Sequence, residues 1–192
     1  MMGERPYGPR TDDGLLEAYV FERTVTKPTI GGLKSDLAGK PGVAFVAQFV
    51  GYFSLFARVT AESLGELQER IDGPYRTAGL RSDWSMNLTA SAAAAPKRGS
   101  PEFCALVCAR TKTDPFGVQE ALEDNFLRLG AEGGEGAAVI NHDDFDVLVD
   151  LGADDFEGLI DRVKGLRQQP GIGRTATSFS SLADNAIRPS SS

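Results

Sequence analysis

The feature that most constrains this chain is an internal repeat. In a register of 92 residues Phe53 falls on Phe145, Ala61 on Ala153, Leu67 on Leu159, Arg70 on Arg162, Gly73 on Gly165 and Gly79 on Gly171, with no gap. Leu55 with Val147, Ile71 with Val163 and Leu80 with Ile172 exchange one apolar residue for another. Upstream the best register is 87, which sets Ala18 on Ala105, Val20 on Val107, Arg23 on Arg110, Thr24 on Thr111 and Pro28 on Pro115. The change of register falls near the glycine-rich stretch 131–137, where a loop insertion costs little. A chain that repeats a unit of this size is expected to fold as two copies of one supersecondary pattern.

The second copy spells that pattern out. Phe145, Val147, Val149 and Leu151 alternate with Asp146, Leu148 and Asp150, a period of two, whereas Phe156, Leu159, Ile160, Val163 and Leu166 recur at helical spacing. Asp154, three residues before Glu157, predicts a capping box, and Pro170-Gly171 stops the helix before a last strand. Residues 103–112 read as a strand, Asp114-Pro115 opens a helix as N-cap and first helical residue, and 137–141 with 145–151 form a hairpin. In the first copy a strand at 15–24, a helix at 27–39 weakened by Gly31-Gly32, and a hairpin of 43–50 with 53–59 around Gly51 follow the same order. Each copy is thus strand, helix, strand, strand, helix, strand, the split βαβ unit of ferredoxin-like domains.

The predicted class is α+β: tandem ferredoxin-like βαββαβ domains at 15–90 and 103–184, a linker at 91–102, and a disordered arm (1–14) and tail (185–192). Val43, Phe45, Ala47 and Phe49 make one face of their strand apolar, and Ala44, Val46 and Val50 the other. Helices cover only one face of such a sheet, so the second face is expected to pack on the other copy. The result would be an intramolecular dimeric α/β barrel.

Short motifs sit at the turns. Copy one carries Pro41-Gly42-Val43, then Gly51-Tyr52-Phe53-Ser54, then Ala78-Gly79-Leu80; copy two carries Asp143-Asp144-Phe145-Asp146, then Pro170-Gly171-Ile172 and Thr175-Ala176-Thr177. With an amphipathic helix between these runs, both copies resemble the ligand-binding (RAM) domain of the Lrp/AsnC, or feast/famine, family of regulators. Two positions depart from the family pattern: Ser54 stands where Asp is usual, and Asp143 replaces the glycine that copy one keeps as Gly51. Tandem ACT domains share the strand order, but the Thr175-Ala176-Thr177 ending favours the Lrp/AsnC resemblance.

That resemblance implies a non-enzymatic regulator that senses a small effector, such as an amino acid, or pairs with a paralogue of the family; the strand edges of such a fold offer a route to a homo-oligomer. It also implies a pocket edged by the two turns, with Gly51, Tyr52, Phe53 and Ser54 on one side and His142, Asp143, Asp144 and Asp146 on the other. Asp146 would orient an ammonium group and Tyr52 would stack on or hydrogen-bond a side chain. No catalytic residue, metal or cofactor is expected. The roughly 14 residues before the first strand are too few for the three helices of a helix-turn-helix domain, so no direct DNA binding is expected.

Charge and composition bear on the alternatives. A net charge of −7 opposes phosphate-backbone binding, and the absence of a long apolar run or signal-peptide core predicts a cytoplasmic protein without membrane contact. Cys104 and Cys108, about 13 Å apart on one strand, cannot bridge each other. His142, the only histidine, lies among three acids, where it would serve as a metal ligand or base, or simply cap a solvated turn. No Gly-x-Ser-x-Gly elbow is present, and the glycine-rich 132–136 lacks the lysine of a phosphate loop. Two further readings are open: by fold analogy, a barrel enzyme of the haem, monooxygenase or decarboxylase kind, and, from the departures at Ser54 and Asp143, an assembly subunit with decayed pockets.

Overall fold

The computed structural model describes residues 14–23, 27–89, 102–128, 136–181 and 186–187. The expected arm to residue 13, the linker at 91–101 and the glycine-rich 131–135 fall outside these ranges. The first half runs β1 (Leu16–Glu22), α1 (Lys27–Ala38), β2 (Val43–Gln48), β3 (Val50–Gly51), β4 (Leu55–Ala61), α2 (Leu64–Thr77) and β5 (Asp83–Met86). The second runs β6 (Phe103–Thr111), α3 (Pro115–Arg128), β7 (Gly136–Val139), β8 (Val147–Ala153), α4 (Phe156–Arg167) and β9 (Ile172–Ser181), followed by β10 (Ala186–Ile187).

Local chemistry accounts for the helices. Ser63 caps α2 by accepting the Glu66 N–H at 3.3 Å, and Asp155 caps α4 by accepting the Gly158 N–H at 2.7 Å. Asp155, not Asp154, is therefore the cap, because its extended backbone aims the carboxylate at the free amides of the first turn. Asp114 does the same for α3, taking the Gly117 N–H at 3.0 Å. The glycine pair in α1 does not prevent the helix, since Ile30, Leu33 and Leu37 bury one stripe against the sheet and tertiary packing outweighs propensity.

The described strands form two antiparallel sheets, ordered β10-β2-β4-β1-β5 and β3-β9-β6-β8-β7. Within each half the order is that of the split βαβ unit. One face of each sheet packs on its own helices, with Val20, Ala57, Leu67 and Ile71 in the first and Val107, Val149, Leu159 and Val163 in the second. The opposite faces share a single layer in which Tyr19, Phe21, Phe45 and Phe56 meet Leu106, Cys108, Ile140 and Leu148. Alternation along each strand sends neighbouring residues to these two layers.

Each half lends strand to the other. β3 leaves the first half to pair with β9, and β10 returns from the second to pair with β2. At the other margin Asn87 bridges to Ile140, and the Leu88 N–H donates to the Val139 carbonyl at 2.8 Å. A polar knot also lies between the sheets. Glu17, 2% exposed, accepts from Tyr19 Oη at 2.7 Å and Asn87 Nδ2 at 2.9 Å, and Arg58 Nε lies 3.5 Å away.

Candidate functional site

The two hairpin turns of the repeat are seated differently. In the first, Gly51 pairs with Ser178, the Tyr52 N–H donates to the Thr177 carbonyl at 3.2 Å, and the Phe53 N–H donates to Ser178 Oγ at 2.8 Å. Gly51 has φ +141°, and a Cβ there would lie 2.5 Å from the Thr177 oxygen, so only glycine permits this closure. Its counterpart in the second half is Asp143, whose side chain forbids the same approach to β5. The second turn stands off instead, held by the Asn87–Ile140 bridge and by Asn141 Oδ1, which accepts the Met86 N–H at 2.7 Å. The gap is a cleft of about 320 Å³ between Asp83, Trp84 and Ser85 of β5, the turn from Asn141 to Asp144, and Arg23 beyond β1.

His142 is the buried centre of this cleft, its side chain 6% exposed and packed edge-on against Phe21 at 5.6 Å and near Phe145 at 5.5 Å. The Asp144 N–H donates to Nδ1 at 3.1 Å, which places the ring proton on Nε2, facing Asp83 Oδ2 at 3.4 Å. Histidine and aspartate come from different halves. The Asp83 side chain is 46% exposed and opens to the cleft. Arg23 crosses between the halves as well, bonding Asp144 at 2.8 Å with its guanidinium 4.4 Å from the centre of the Tyr52 ring. Its hydrogen bond to Asp144 holds that carboxyl below the ordinary range. Ser85 is 2% exposed, and its Oγ has no hydrogen-bond partner.

Of the residues expected from sequence, His142, Asp143 and Asp144 line the cleft. Tyr52 and Phe53 adjoin it through rings, with Phe53 6.4 Å from its repeat counterpart Phe145 and Tyr52 5.7 Å from the same ring. Gly51 is built into the β3–β9 pairing. Ser54 donates to the Glu22 carbonyl at 3.2 Å and lines a separate hollow of about 360 Å³ with Phe49 and Phe179. Asp146 is used inside the fold, accepting from Arg110 at 2.7 Å and from the Thr111 N–H and hydroxyl at 2.9 and 3.1 Å. Burial pushes its carboxyl up, but these donors outweigh that and hold it below the usual range.

Arg23, Asp83 and Ser85 were not picked out by sequence reasoning. A signal for Arg23 existed: it occupies the register of Arg110, whose partner Asp146 corresponds to Ser54 in the first half. Having no acid at its own turn, Arg23 reaches across to Asp144. Asp83 and Ser85 offered no signal, because their neighbours in the cleft come from the far half of the chain. Cys104 and Cys108 are buried and unbridged, and burial pushes both thiols up, away from the reactive thiolate.

The chain has an α+β fold that solved structures of other proteins share. A mutant chlorite dismutase from Candidatus Nitrospira defluvii, in complex with cyanide, is similar at TM-score 0.51 and 12% identity, covering 88% of this chain and 91% of that one. An anthrone oxidase-like protein is similar at TM-score 0.58 and 12% identity, covering 92% of this chain and 93% of that one. No protein-family profile matches the sequence, and no curated protein matches it.

These findings overturn the Lrp/AsnC resemblance: the structures sharing the fold are a dismutase and an oxidase-like protein, not regulators. The expectation of a non-enzymatic protein falls with it. The motifs behind that resemblance are turn chemistry. Gly42, Gly79 and Gly171 have φ of +78°, +70° and +84°, a left-handed backbone suited to turns and helix ends in any fold.

Haem, raised above as an alternative, does not fit the His142 cleft. The cleft walls are polar except for Trp84, and the layer between the sheets behind it is filled by packed side chains. Both nitrogens of His142 are engaged, so ligating iron would break the contact to Asp83 or to the Asp144 amide.

Proposed function

We propose that this chain is an α/β-barrel enzyme, its two ferredoxin-like copies packed sheet to sheet, that moves a proton on a small polar substrate bound in the cleft. The observation that carries the reading is the Asp83–His142 pair, 3.4 Å apart and assembled from the two halves at the wall of the cleft. Asp83 is the base: a carboxylate oxygen takes a proton from a C–H next to a carbonyl, and the freed electron pair moves into that carbonyl. His142 is a positioning residue, its Nε2–H donating to Asp83 while the Asp144 amide fixes the ring. The enzymatic names of the structures that share the fold support this reading over a sensor.

Solvent deuterium exchange tests it. Pyruvate, hydroxyacetone and aminoacetone are incubated with the protein in heavy water and their C–H signals followed by NMR. At least one should exchange above the buffer rate, and Asp83→Asn should slow it by about 100-fold. Exchange of none, or exchange unchanged in Asp83→Asn, overturns the proposal.

A further inference from the structure

Inside the layer between the sheets the two halves differ at one pair of positions. In the first half Arg58 of β4 turns into that layer, and its partner across the ladder is Phe45 of β2, whose ring is buried there. The pair in the same place in the second half is Asp150 of β8 and Gly136 of β7. Directly opposed residues of an antiparallel ladder share a face, so Gly136 stands where the first half has a phenylalanine and brings no side chain. A recess is left beside Asp150. Its other walls are apolar: Leu106 opposes Asp150 on β6, and Leu148 lies two residues back on the same face. The acid opens into this space. Among the described residues Arg58 Nε and Ser85 Oγ are the unbonded side-chain atoms closed off from solvent; the Asp150 oxygens are not closed off, although β8 lies between β6 and β7. No hydrogen-bond donor or cation of the described residues reaches them, and burial pushes the carboxyl up to about 8, so it keeps its proton at neutral pH.

We propose that this recess is a binding site for an uncharged molecule with a compact apolar body and an amide head: the amide oxygen accepts from Asp150, the amide N–H donates back to it, and the body takes the space that Phe45 fills in the first half. A protonated carboxyl offers a donor and an acceptor side by side, which an amide matches with two hydrogen bonds. A cation would have to displace that proton and shed its water against apolar walls, with a single acid in return. The site is separate from the Asp83–His142 cleft, of which Asp150 is not a wall, and it stands whether or not that cleft is catalytic.

Isobutyramide, 3-methylbutan-2-one and isobutylammonium share one branched body and differ in the head: a donor with an acceptor, an acceptor alone, and a cation. Each is titrated into the full-length protein at pH 6 while the methyl signals of Leu106 and Leu148 are followed by NMR. Isobutyramide should shift those signals saturably and bind at least about fivefold tighter than either of the others. Its affinity should fall about tenfold from pH 6 to pH 9, in step with the fraction of Asp150 that keeps its proton. Asp150→Asn still sets a donor beside an acceptor but does not ionise, so it should bind isobutyramide equally well at both pH values. Gly136→Val, which fills the recess and leaves the acid in place, should abolish binding. Tighter binding of the ammonium, no saturable shift with isobutyramide, or the same loss at pH 9 in Asp150→Asn overturns the proposal, and so does binding that Gly136→Val leaves undiminished.

Discussion

Replacing Asp150 by asparagine is expected to stabilise the protein by an amount that grows with pH. Asp150 sits on β8 opposite Leu106, on the strand face that Leu148 turns toward the layer between the sheets. The equivalent position in the first half holds Arg58, 3.5 Å from Glu17; beside Asp150 the corresponding neighbour is the thiol of Cys104. Burial with no compensating cation pushes the Asp150 carboxyl up to about 8. In the unfolded chain the same group ionises near pH 4. Below that pH both states hold the proton and the group costs nothing. Above it the unfolded state gains by ionising, so stability from this group is lost progressively until the pH passes about 8. A displacement of about four units corresponds to roughly 6 kcal/mol, and allowing about half for residual water contact leaves about 3 kcal/mol. At about 2–4 °C per kcal/mol for a chain of this size, Asp150→Asn should raise Tm by about 6–12 °C near pH 8 and by less than about 1 °C near pH 4. Thermal unfolding of both proteins across that range measures it. A Tm difference constant with pH would refute the argument.

Three further outcomes follow from the turns and their charges. Gly51→Ala should destabilise the protein by about 2–4 kcal/mol in urea unfolding, because the new Cβ would meet the Thr177 carbonyl at 2.5 Å and part β3 from β9. Asp143→Gly should let the second turn approach β5, narrowing the cleft and reducing acrylamide quenching of Trp84 by about twofold. Arg23→Gln should raise the Asp144 carboxyl toward its ordinary range in an NMR titration, while leaving the unfolding midpoint almost unchanged because that pair is exposed.

Much of the fold was legible because it depends on short-range periodicity. The switch from alternation at 145–151 to helical spacing at 156–166 located β8 and α4 to within two residues, and the repeat then placed β4 and α2. What sequence could not show was exchange at the margins. The stretch 43–50 reads as one strand, but Phe49 interrupts it: β2 stays in the first sheet, and Val50–Gly51 cross to the second. That crossing is fixed by Ser178 and Thr177, more than a hundred residues away, so no local pattern records it. The candidate site follows the same division. The turn at 141–144 stood out by composition, whereas Asp83 and Ser85 acquire meaning only opposite His142. The departures at Ser54 and Asp143 were visible as breaks in a pattern; their effect, an arginine that pairs across the halves and an open turn, appears only in three dimensions.

The covalent joining of the two copies carries a consequence of its own. In a symmetric pair of identical subunits every substitution is made twice, so a side chain that holds one turn open holds both, and an arginine freed on one side is freed on the other. A single chain escapes that coupling. Here Gly51 zips one turn shut and serves as scaffold, while Asp143 keeps its twin open and forms the cleft. Arg110 remains with its own acid while Arg23 serves the neighbouring half. The duplication therefore acts as a division of labour, in which one end of the molecule secures the architecture and the other is free to change.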